Sequence, residues 1–532
     1  MTTMTKQEIK KLRDMSVLLQ RFQGRIIHRH DEAYDKCVYQ YGSSTYKGSI
    51  NPDVIFYPQS DSDVVLALEH AKSNGLAVAV RTGGHHYCGA SSTSGSNIQL
   101  DLSTTYTAFN WDHEDRTVAT FGISMQLGKF NSKLRKHNRF IPTGQCRYVH
   151  LGGHVQTGGY GQLVRSFGLL SDHIIKFRLI TPNGKIQWVN RFVEEDKDLF
   201  FAVMGGSPGN YGIVTDVTAK VHRDEDHPES RGFRVMYKHG YDRKVLQDLL
   251  QIMVDMEGNP SLKADYDYTV TVSSGRMAEY KTPKILVFAQ WANLEGRNQD
   301  YTGDFFDKIR RALGGLDGIT DHEGIFLDDD IVSMSELCSQ WIVPVAREYE
   351  LPYLKRTYVT ASTAARLNKP EIKWAEWATG RVHEIMGHPE GKCYLSAQFQ
   401  YSGGPDSRML LNGRGDHTCF SWRDSTFGCT LDVFYDGEEA KAVAEKWRET
   451  NDKEGTGHPG GKFAEDDRRL LWGSHDLDLH AAHQHYYDNK PAGKYDRLVA
   501  LKRKVDPHGI LTPNAFCVGG LATKTSAAPK EP

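Results

Sequence analysis

The chain has 532 residues, which predicts two or three domains rather than one, and 50 of its residues are glycine. Its 65 lysines and arginines nearly balance its 67 aspartates and glutamates, so the net charge of −2 gives no reason to expect nucleic acid or an anionic membrane as a partner. No run of 18 apolar residues occurs, which excludes a membrane-spanning helix.

The N-terminal residues and the cysteines bear on the compartment. The N-terminus lacks the apolar core of a secretory signal, so we expect a cytoplasmic or intracellular protein, while a secreted mature form stays open. No Cys-x-x-Cys pair occurs, so the cysteines suit neither a disulfide scaffold nor a zinc site, and no metal is expected. The eight scattered cysteines are Cys37, Cys88, Cys146, Cys338, Cys393, Cys419, Cys429 and Cys517.

The first predicted elements form a β-α-β unit. Residues 54–57 are typical of a short strand, and a helix is expected to begin near Asp61 and to end at Gly75. Residues 76–80 then predict a buried strand that runs directly into a glycine-rich loop at 81–92.

Two more glycine clusters follow. A helix is predicted near 125–137, and a second glycine loop spans 144–161. Residues 174–180 and 186–189 predict a hairpin, because Asn183-Gly184 lies between them. The third cluster, at 205–212, leads into a strand.

A polar segment at 222–230 predicts a domain boundary. Beyond it, strands are expected at 267–272, 285–291, 394–401 and 428–435, with helices at 241–256 and 437–450, as in one antiparallel sheet backed by helices. The predicted fold class is therefore α+β with two domains. The first comprises residues 1–225 and is completed by a C-terminal segment at 475–532, and the second comprises residues 226–474.

Glycine loops can bind phosphate, since backbone amides without a neighbouring Cβ can close on phosphate oxygens. Tight turns between strands are the alternative explanation for any single cluster. The Gly-x-Gly-x-x-Gly pattern of Rossmann dehydrogenases does not occur after the first strand. Gly460-Gly461-Lys462 misses the P-loop pattern, because Thr456 replaces the first glycine and Phe463 follows the lysine.

The glycine loops resemble those of one flavoprotein family. The sequence is similar to the berberine-bridge-enzyme-like branch of the vanillyl-alcohol-oxidase superfamily, whose FAD-binding domain is of the PCMH type, and residues 486–507 resemble the closing helix of that branch. The likeness is strong over residues 50–220 and 470–516 and weak between them. It rests on Arg81-x-Gly83-Gly84-His85-x-Tyr87-x-Gly89-x-Ser91, Gly144-x-Cys146, Gly152-Gly153-His154, Gly158-Gly159-x-Gly161, Arg165, Gly168-Leu169 and Asp172.

The resemblance implies a bicovalent FAD. In the family pattern, His85 bonds to the 8α-methyl group and Cys146 to C6 of the isoalloxazine, and two such links should raise its reduction potential. His154 matches a histidine near the N1–C2 carbonyl edge, where a donor stabilises the reduced ring. An ordinary buried thiol at Cys146 and a structural role for His154 are the alternatives.

Further cofactor contacts follow from the same resemblance. Backbone amides of Thr82 to His86 are expected at the pyrophosphate, those of Gly152 to Gly161 at the ribityl and diphosphate region, and Ile213 and Val214 on the adenine side. The full set of predicted cofactor-binding residues is Arg81, Thr82, Gly83, Gly84, His85, His86, Tyr87, Ser91, Cys146, Gly152, Gly153, His154, Thr157, Gly158, Gly159, Gly161, Asp172, Ile213, Val214 and Asn514.

The sequence departs from the family at the expected catalytic base. Relatives carry a tyrosine where this chain has Ser474, so we take His475 and the following Asp476, together with His154, as the predicted catalytic residues. A structural role for His475 is an equal alternative. A second family base, a carboxylate or glutamine, would fall near Cys429. Smaller departures are His150, Thr157 and Thr512-Pro513-Asn514.

The resemblance predicts an oxidase that takes a hydride from an alcohol, carbohydrate, phenol or related small molecule and passes the electrons to O2. A dehydrogenase with another acceptor and a flavin-binding protein with little turnover are the alternatives. A monomer or a homodimer is expected.

Overall fold

The computed structural model describes residues 20–41, 50–87, 89–206, 208–274, 283–297, 301–320, 326–340, 351–387, 392–415, 417–455, 468–470, 487 and 493–520. Within these ranges, no helix combines the length and the apolar character needed to cross a bilayer.

The first sheet carries the first glycine loop. In it β4 lies between β2 and β3 and runs parallel to both, in the order β1-β2-β4-β3. The helix predicted from Asp61 is confirmed, since the Ser60 side chain accepts the Asp63 N–H and Gly75 ends the helix with φ of 65°. Its elements are β1 (Arg25–His28), α1 (Tyr34–Val38), β2 (Pro52–Tyr57), α2 (Asp61–Asn74), β3 (Val78–Arg81) and β4 (Gly95–Asp101).

The second sheet has the order β5-β6-β10-β8-β9, and the β8-β9 hairpin is the one predicted around Gly184, whose φ is 81°. Part of the second glycine loop is helical, which the glycine content did not predict. The elements are β5 (Phe109–Trp111), β6 (Val118–Gly122), α3 (Leu127–Arg135), β7 (Arg139–Phe140), α4 (Leu151–Gln156), α5 (Val164–Phe167), β8 (Ile174–Ile180), β9 (Ile186–Asn190), α6 (Lys197–Val203), β10 (Ile213–Lys220) and β11 (His222–Arg223).

Eight described strands form one large antiparallel sheet in the order β15-β12-β14-β13-β17-β18-β16-β19. Together with its helices it confirms the predicted α+β class. The elements are β12 (Arg231–Met236), α7 (Arg243–Glu257), β13 (Tyr266–Ser273), β14 (Lys284–Trp291), α8 (Asp304–Ala312), β15 (Phe326–Ile331), α9 (Met334–Gln340), β16 (Tyr353–Thr360), α10 (Ala364–Leu367), α11 (Trp374–Met386), β17 (Cys393–Tyr401), α12 (Arg408–Gly413), β18 (Phe427–Tyr435), α13 (Glu438–Gly455) and β19 (Arg468–Leu470).

Strand β17 alternates between buried and half-buried residues along its whole length. One face of the large sheet therefore packs on α7, α11 and α13 in a core of its own. The other face presents polar side chains such as Gln398 and Gln400 toward the glycine loops. This polar face is what positions the large sheet over the candidate site.

The last described helix, α14 (Lys494–Val505), returns to the N-terminal core. Tyr211 donates its hydroxyl to the Leu498 carbonyl at 3.0 Å, and Lys502 donates to the Asn210 and Leu511 carbonyls at 2.5 and 2.9 Å. The C-terminal segment thus packs with the N-terminal elements, while the predicted boundaries at 225 and 474 stay a prediction.

Candidate functional site

The two glycine loops contact each other so closely that a side chain could not be added. A Cβ on Gly83 would lie 2.8 Å from His150 Cδ2, and one on Gly152 would lie 3.0 Å from the Thr82 methyl carbon. Gly84 adopts φ of +64°, which a residue with a side chain rarely adopts. Glycine is therefore required here for backbone approach, and the first loop is brought against the second.

His85 and Cys146, the two predicted attachment residues, lie on these neighbouring loops. The His85 ring stacks on Tyr41 with 4.0 Å between ring centroids, and Tyr41 is also 6.3 Å from Tyr148, two residues after Cys146. The Cys146 thiol is half-buried and forms no disulfide among the described cysteines. An imidazole and a thiol, the two side chains suited to bonding a flavin, therefore lie on two loops joined by one aromatic ring.

His154 projects from α4, and its Nε2 accepts the backbone N–H of Gly144 at 2.8 Å. Burial lowers the pKa of His154 to about 4, so the ring is neutral at pH 7. Because Nε2 is an acceptor, the single ring proton is on Nδ1. The ring can therefore donate from Nδ1, as the predicted role at the cofactor requires, and that role stays a prediction.

Two more histidines of the loops are neutral at pH 7. Burial lowers the pKa of His86 to about 3 and the pKa of His150 to about 4. Nδ1 of His150 is buried and meets no hydrogen-bond partner in the described part of the chain. The loops are thus uncharged at His86, His150 and His154, which suits the apolar ring system of a flavin.

Several predicted cofactor residues hold the first loop from behind. Arg81 donates to the Asp101 carboxylate at 2.6 Å and to the Tyr39 carbonyl at 2.9 Å, and Ser91 donates to the Gln40 side chain at 3.0 Å. Asn514 donates to the carbonyls of residues 90 and 92, at 3.0 and 2.8 Å. These side chains fix the loop, so the groups left to face a cofactor are backbone amides, as predicted for phosphate binding.

The remaining predicted residues have structural contacts of their own. The Asp172 carboxylate pairs with Arg423 at 2.6 Å and accepts the Leu169 N–H at 2.9 Å, so its oxygens are already used within the protein. Thr157 donates its hydroxyl to the Gly153 carbonyl at 2.9 Å. Ile213 and Val214 are buried in β10. Their contacts with a cofactor stay predictions.

The last glycines of the second loop are required by neighbouring groups. A Cβ on Gly161 would lie 1.9 Å from the Thr143 carbonyl oxygen. Gly158 and Gly159 both have positive φ, and a Cβ on either would lie 2.6 Å from a side-chain carbon, of Phe420 and of Leu170 respectively. These glycines are explained by packing and turn geometry as well as by any phosphate.

The predicted base positions have different outcomes. Ser474, His475 and Asp476 lie outside the described residues. Cys429 points into the core of the large sheet, and burial raises the pKa of its thiol. Because strand side chains alternate, its neighbours Gly428 and Thr430 face the glycine loops instead. These two neighbours carry no titratable group, and the position of the second family base stays a prediction.

A cavity lies between the second glycine loop and the large sheet. Tyr160 and Trp422 form one wall with 6.5 Å between their ring centroids, while amides and hydroxyls of β16, β17 and β18 form the other. The lining residues are Tyr160, Val164, Thr357, Val359, Gln398, Gln400, Ser402, Met409, Phe420, Trp422, Ser425, Gly428 and Thr430. Among these described lining residues, none carries a carboxylate or an imidazole.

Tyr160 is a cavity-lining residue that sequence reasoning did not single out. It occupies the variable position of Gly159-x-Gly161, and its side chain is 37% exposed at the edge of the cavity. The sequence did contain a signal for Tyr160, because it is a large side chain between Gly159 and Gly161, two positions where a Cβ would clash. Gln400 holds this segment by donating to the Gly161 carbonyl at 2.6 Å.

The comparisons with known proteins agree with this geometry. Residues 52–190 match the family described as FAD binding domain. The chain is 34% identical over 173 residues to berberine bridge enzyme-like 12 of Arabidopsis thaliana, covering 32% of each protein. It is 33% identical over 174 residues to tetrahydroberberine oxidase of Argemone mexicana, covering 32% of this chain and 31% of that protein. The matched segments span about a third of the length of these curated relatives.

The fold itself extends over nearly the whole chain. A solved structure titled chitooligosaccharide oxidase superposes with a TM-score of 0.71 at 16% identity, covering 95% of this chain and 99% of that one. The tight loops, the imidazole and thiol on them, and the match to the family at 52–190 agree with one another, so the residues present fit FAD. Residues 52–190 match the FAD-binding-domain family, and over about a third of its length the chain is similar to berberine-bridge-enzyme-like proteins.

Proposed function

We propose that the protein is an FAD-dependent oxidoreductase that holds its cofactor through His85 and Cys146 and oxidises a hydroxyl-bearing small molecule. The observation that carries the proposal is the pair of glycine loops that hold these two residues, since His85 of the first loop and Tyr148 of the second both contact the Tyr41 ring. Relatives named as oxidases support an enzyme. When bound, FAD supplies a hydride acceptor at N5, and O2 is the proposed final acceptor, giving H2O2.

The cavity supports a substrate with a flat or ring-shaped hydroxylated body. Trp422 and Tyr160 offer aromatic faces, while Gln398, Thr357 and Thr430 offer amide and hydroxyl groups on the opposite wall. Sugars, phenols and hydroxylated secondary metabolites share these features. The solved structure titled chitooligosaccharide oxidase, which has a similar fold, is named for a sugar substrate of this kind.

Oxidation of an alcohol also requires a group that takes the hydroxyl proton. Tyr160 is the phenol that lines the described cavity, and we propose that its hydroxyl hydrogen-bonds to the substrate hydroxyl. His475 with Asp476 stays the proposed base. His154 is proposed to donate from Nδ1 at the cofactor edge, as its bond to the Gly144 N–H permits.

The attachment is tested on the cofactor itself. Protein precipitated with acid should stay yellow, because covalent bonds survive unfolding. Cys146→Ala should keep one link through His85, His85→Ala one through Cys146, and the double variant none. His28→Ala and Cys37→Ala are matched controls that should retain both links. Free FAD in the supernatant of the unaltered protein would contradict covalent attachment.

The role of Tyr160 is tested with Tyr160→Phe, which removes only the hydroxyl. The rate of anaerobic cofactor reduction by a substrate found in a screen of sugars, alcohols and phenols should fall on the order of a hundredfold. Tyr39→Phe, at an exposed tyrosine, serves as the control. An unchanged rate would remove Tyr160 from the reaction, and an unchanged rate in His475→Ala would remove His475.

Admitting air to the reduced protein tests the acceptor. Rapid reoxidation with formation of H2O2 supports an oxidase, whereas slow reoxidation indicates a dehydrogenase that uses another acceptor. A flavin that no candidate substrate bleaches indicates a binding protein with little turnover.

A further inference from the structure

The polar face of the large sheet contacts both loops that carry the predicted attachment residues. The contact with the first loop is made by Lys355 on β16, whose Nζ lies 3.9 Å from the ring centroid of Tyr87. Tyr87 is two residues after His85 and belongs to the same loop. The contact with the second loop is made by Gln398 on β17, whose Nε2 donates to Gln145 Oε1 at 3.1 Å. Gln145 immediately precedes Cys146.

The Lys355 ammonium is held in place by Asp432. Its Nζ donates to Asp432 Oδ1 at 2.7 Å, and the two residues are direct cross-strand neighbours in the pairing of β16 with β18. Both side chains are buried, with 8% and 1% of their areas exposed. A buried ion pair adds little net stability compared with apolar packing, because desolvation offsets the attraction between the charges. What the pair does is hold the Lys355 ammonium against the face of the Tyr87 ring, where a cation is attracted to the aromatic face.

Gln398 on β17 is held in place by a residue of the neighbouring strand β13. Its Nε2 also lies 3.4 Å from Thr271 Oγ1 on β13, so the side chain spans from the sheet to the second loop. The His85 loop and the Cys146 loop are therefore each held by a different side chain of the large sheet. The two contacts come from different strands and share no residue.

We propose that Lys355 and Gln398 are positioning residues for cofactor attachment, Lys355 for the bond at His85 and Gln398 for the bond at Cys146. This inference rests on the proposed function. Each attachment replaces one hydrogen of the cofactor with a bond to the side chain, and His85 or Cys146 loses its own proton. Each bond thus releases two electrons and two protons, which dioxygen can accept to give H2O2. The reacting atoms must be aligned, because a displacement of about 1 Å can cost on the order of a hundredfold in rate.

The test measures where flavin is attached in the full-length protein. Unaltered protein, Lys355→Met and Gln398→Leu are produced in parallel and digested, and mass spectrometry gives the fraction of the His85 peptide and of the Cys146 peptide that carries FAD after equal times. We expect Lys355→Met to lower the rate of attachment at His85 by roughly tenfold or more and to spare Cys146. Gln398→Leu should do the reverse. Lys308→Met and Gln59→Leu, at exposed positions, are the matched controls.

A folding defect is separated from a positioning defect by two further variants. Lys355→Arg keeps a cation that can lie over Tyr87 and should restore most of the attachment at His85. Lys355→Met combined with Asp432→Asn removes both buried charges, so it should fold while attachment at His85 stays slow. Equal loading of both peptides in this double variant would overturn the proposal, as would an equal loss at both peptides in either single variant. Unaltered protein with no flavin on either peptide would overturn the proposed function itself, and this inference with it.

Discussion

Acidification is expected to destabilise the protein below pH 6.5, because three histidines, one buried and two half-buried, lie together beside Phe140 and Phe167. His222 on β11 lies 4.8 Å from His173 and 6.0 Å from His227, measured between ring centroids. Phe167 contacts both His222 and His227, at 4.8 and 5.1 Å. Nε2 of His222 is buried and has no hydrogen-bond partner among the described residues. Ring nitrogens of His173 and His227 face the Phe167 and Asn293 carbonyls at 3.1 and 3.2 Å, so His222 is the member of the cluster whose buried nitrogen has least to replace water.

The sign of the pH effect follows from the folded-state pKa values. Burial is the largest cause lowering the pKa of His173, His222 and His227 below the ordinary histidine value of about 6.5, and for His222 the neighbouring histidines lower the pKa further. The unfolded chain therefore binds more protons than the folded chain once the pH drops below about 6.5. Stability is retained above that pH and falls as the pH decreases toward the folded-state pKa values.

Surrounding charges oppose one another and do not cancel the effect of burial. The carboxylates that raise these pKa values are Asp172, Asp224, Asp226 and Asp265. The cations that lower them are Arg191 and Lys220. Each histidine that stays neutral in the folded state contributes a loss of up to about 1.4 kcal/mol per pH unit.

The measurement is urea unfolding at pH 7.5, 6.5 and 5.5. His222→Phe should flatten the dependence of the unfolding free energy on pH, because a phenylalanine fits the aromatic surroundings of Phe140 and Phe167 and does not titrate. His28→Phe, at an exposed position, should leave the dependence as it is. The explanation fails if both variants lose stability with acid as steeply as the unaltered protein.

Local signals predicted local structure correctly. The cap at Ser60, the stop at Gly75 and the turn at Gly184 all act through hydrogen bonds or backbone angles within a few residues, and all three lie at the predicted element boundaries. The glycine loops could also be found, because close backbone approach and positive φ leave a mark in composition. The position of β4 between β2 and β3 could not, since strand order depends on pairing between distant segments.

The candidate site shows the same division. The attachment residues lie within short motifs and were predicted by resemblance, whereas the wall of the cavity comes from strands whose sequence resembles the family weakly. Which side chains near Cys429 face the cavity could not be predicted, because a shift of one residue moves a side chain to the opposite face of a strand. The contact of Lys355 with Tyr87 joins distant parts of the chain, and no local pattern predicts it.

Replacing Arg165 is expected to cause a large loss of stability. Arg165 belongs to the family motif and is only 1% exposed. Its side chain projects from α5, and the guanidinium donates to four backbone carbonyls just before or at the start of β13 and just after the end of β17. The guanidinium also lies 5.1 Å from the ring centroid of Tyr401. The four acceptors, with their distances, are Leu262 at 2.8 Å, Lys263 at 2.5 Å, Tyr266 at 2.7 Å and Gly403 at 2.9 Å.

Arg165→Met keeps much of the side-chain volume but removes every donor, so four carbonyls lose their partner in a region with little access to water. Each unsatisfied buried group costs about 1–3 kcal/mol, and the total loss should therefore be at least about 3 kcal/mol. Arg165→Lys should recover part of it, because an ammonium has three donors and cannot reproduce the planar fork. Arg311→Met, at an exposed arginine of α8, is the control. The stability of each variant is measured by urea unfolding. If Arg165→Met unfolds at the same urea concentration as Arg311→Met, the four carbonyls are satisfied in another way and Arg165 does not join the loop region to the large sheet.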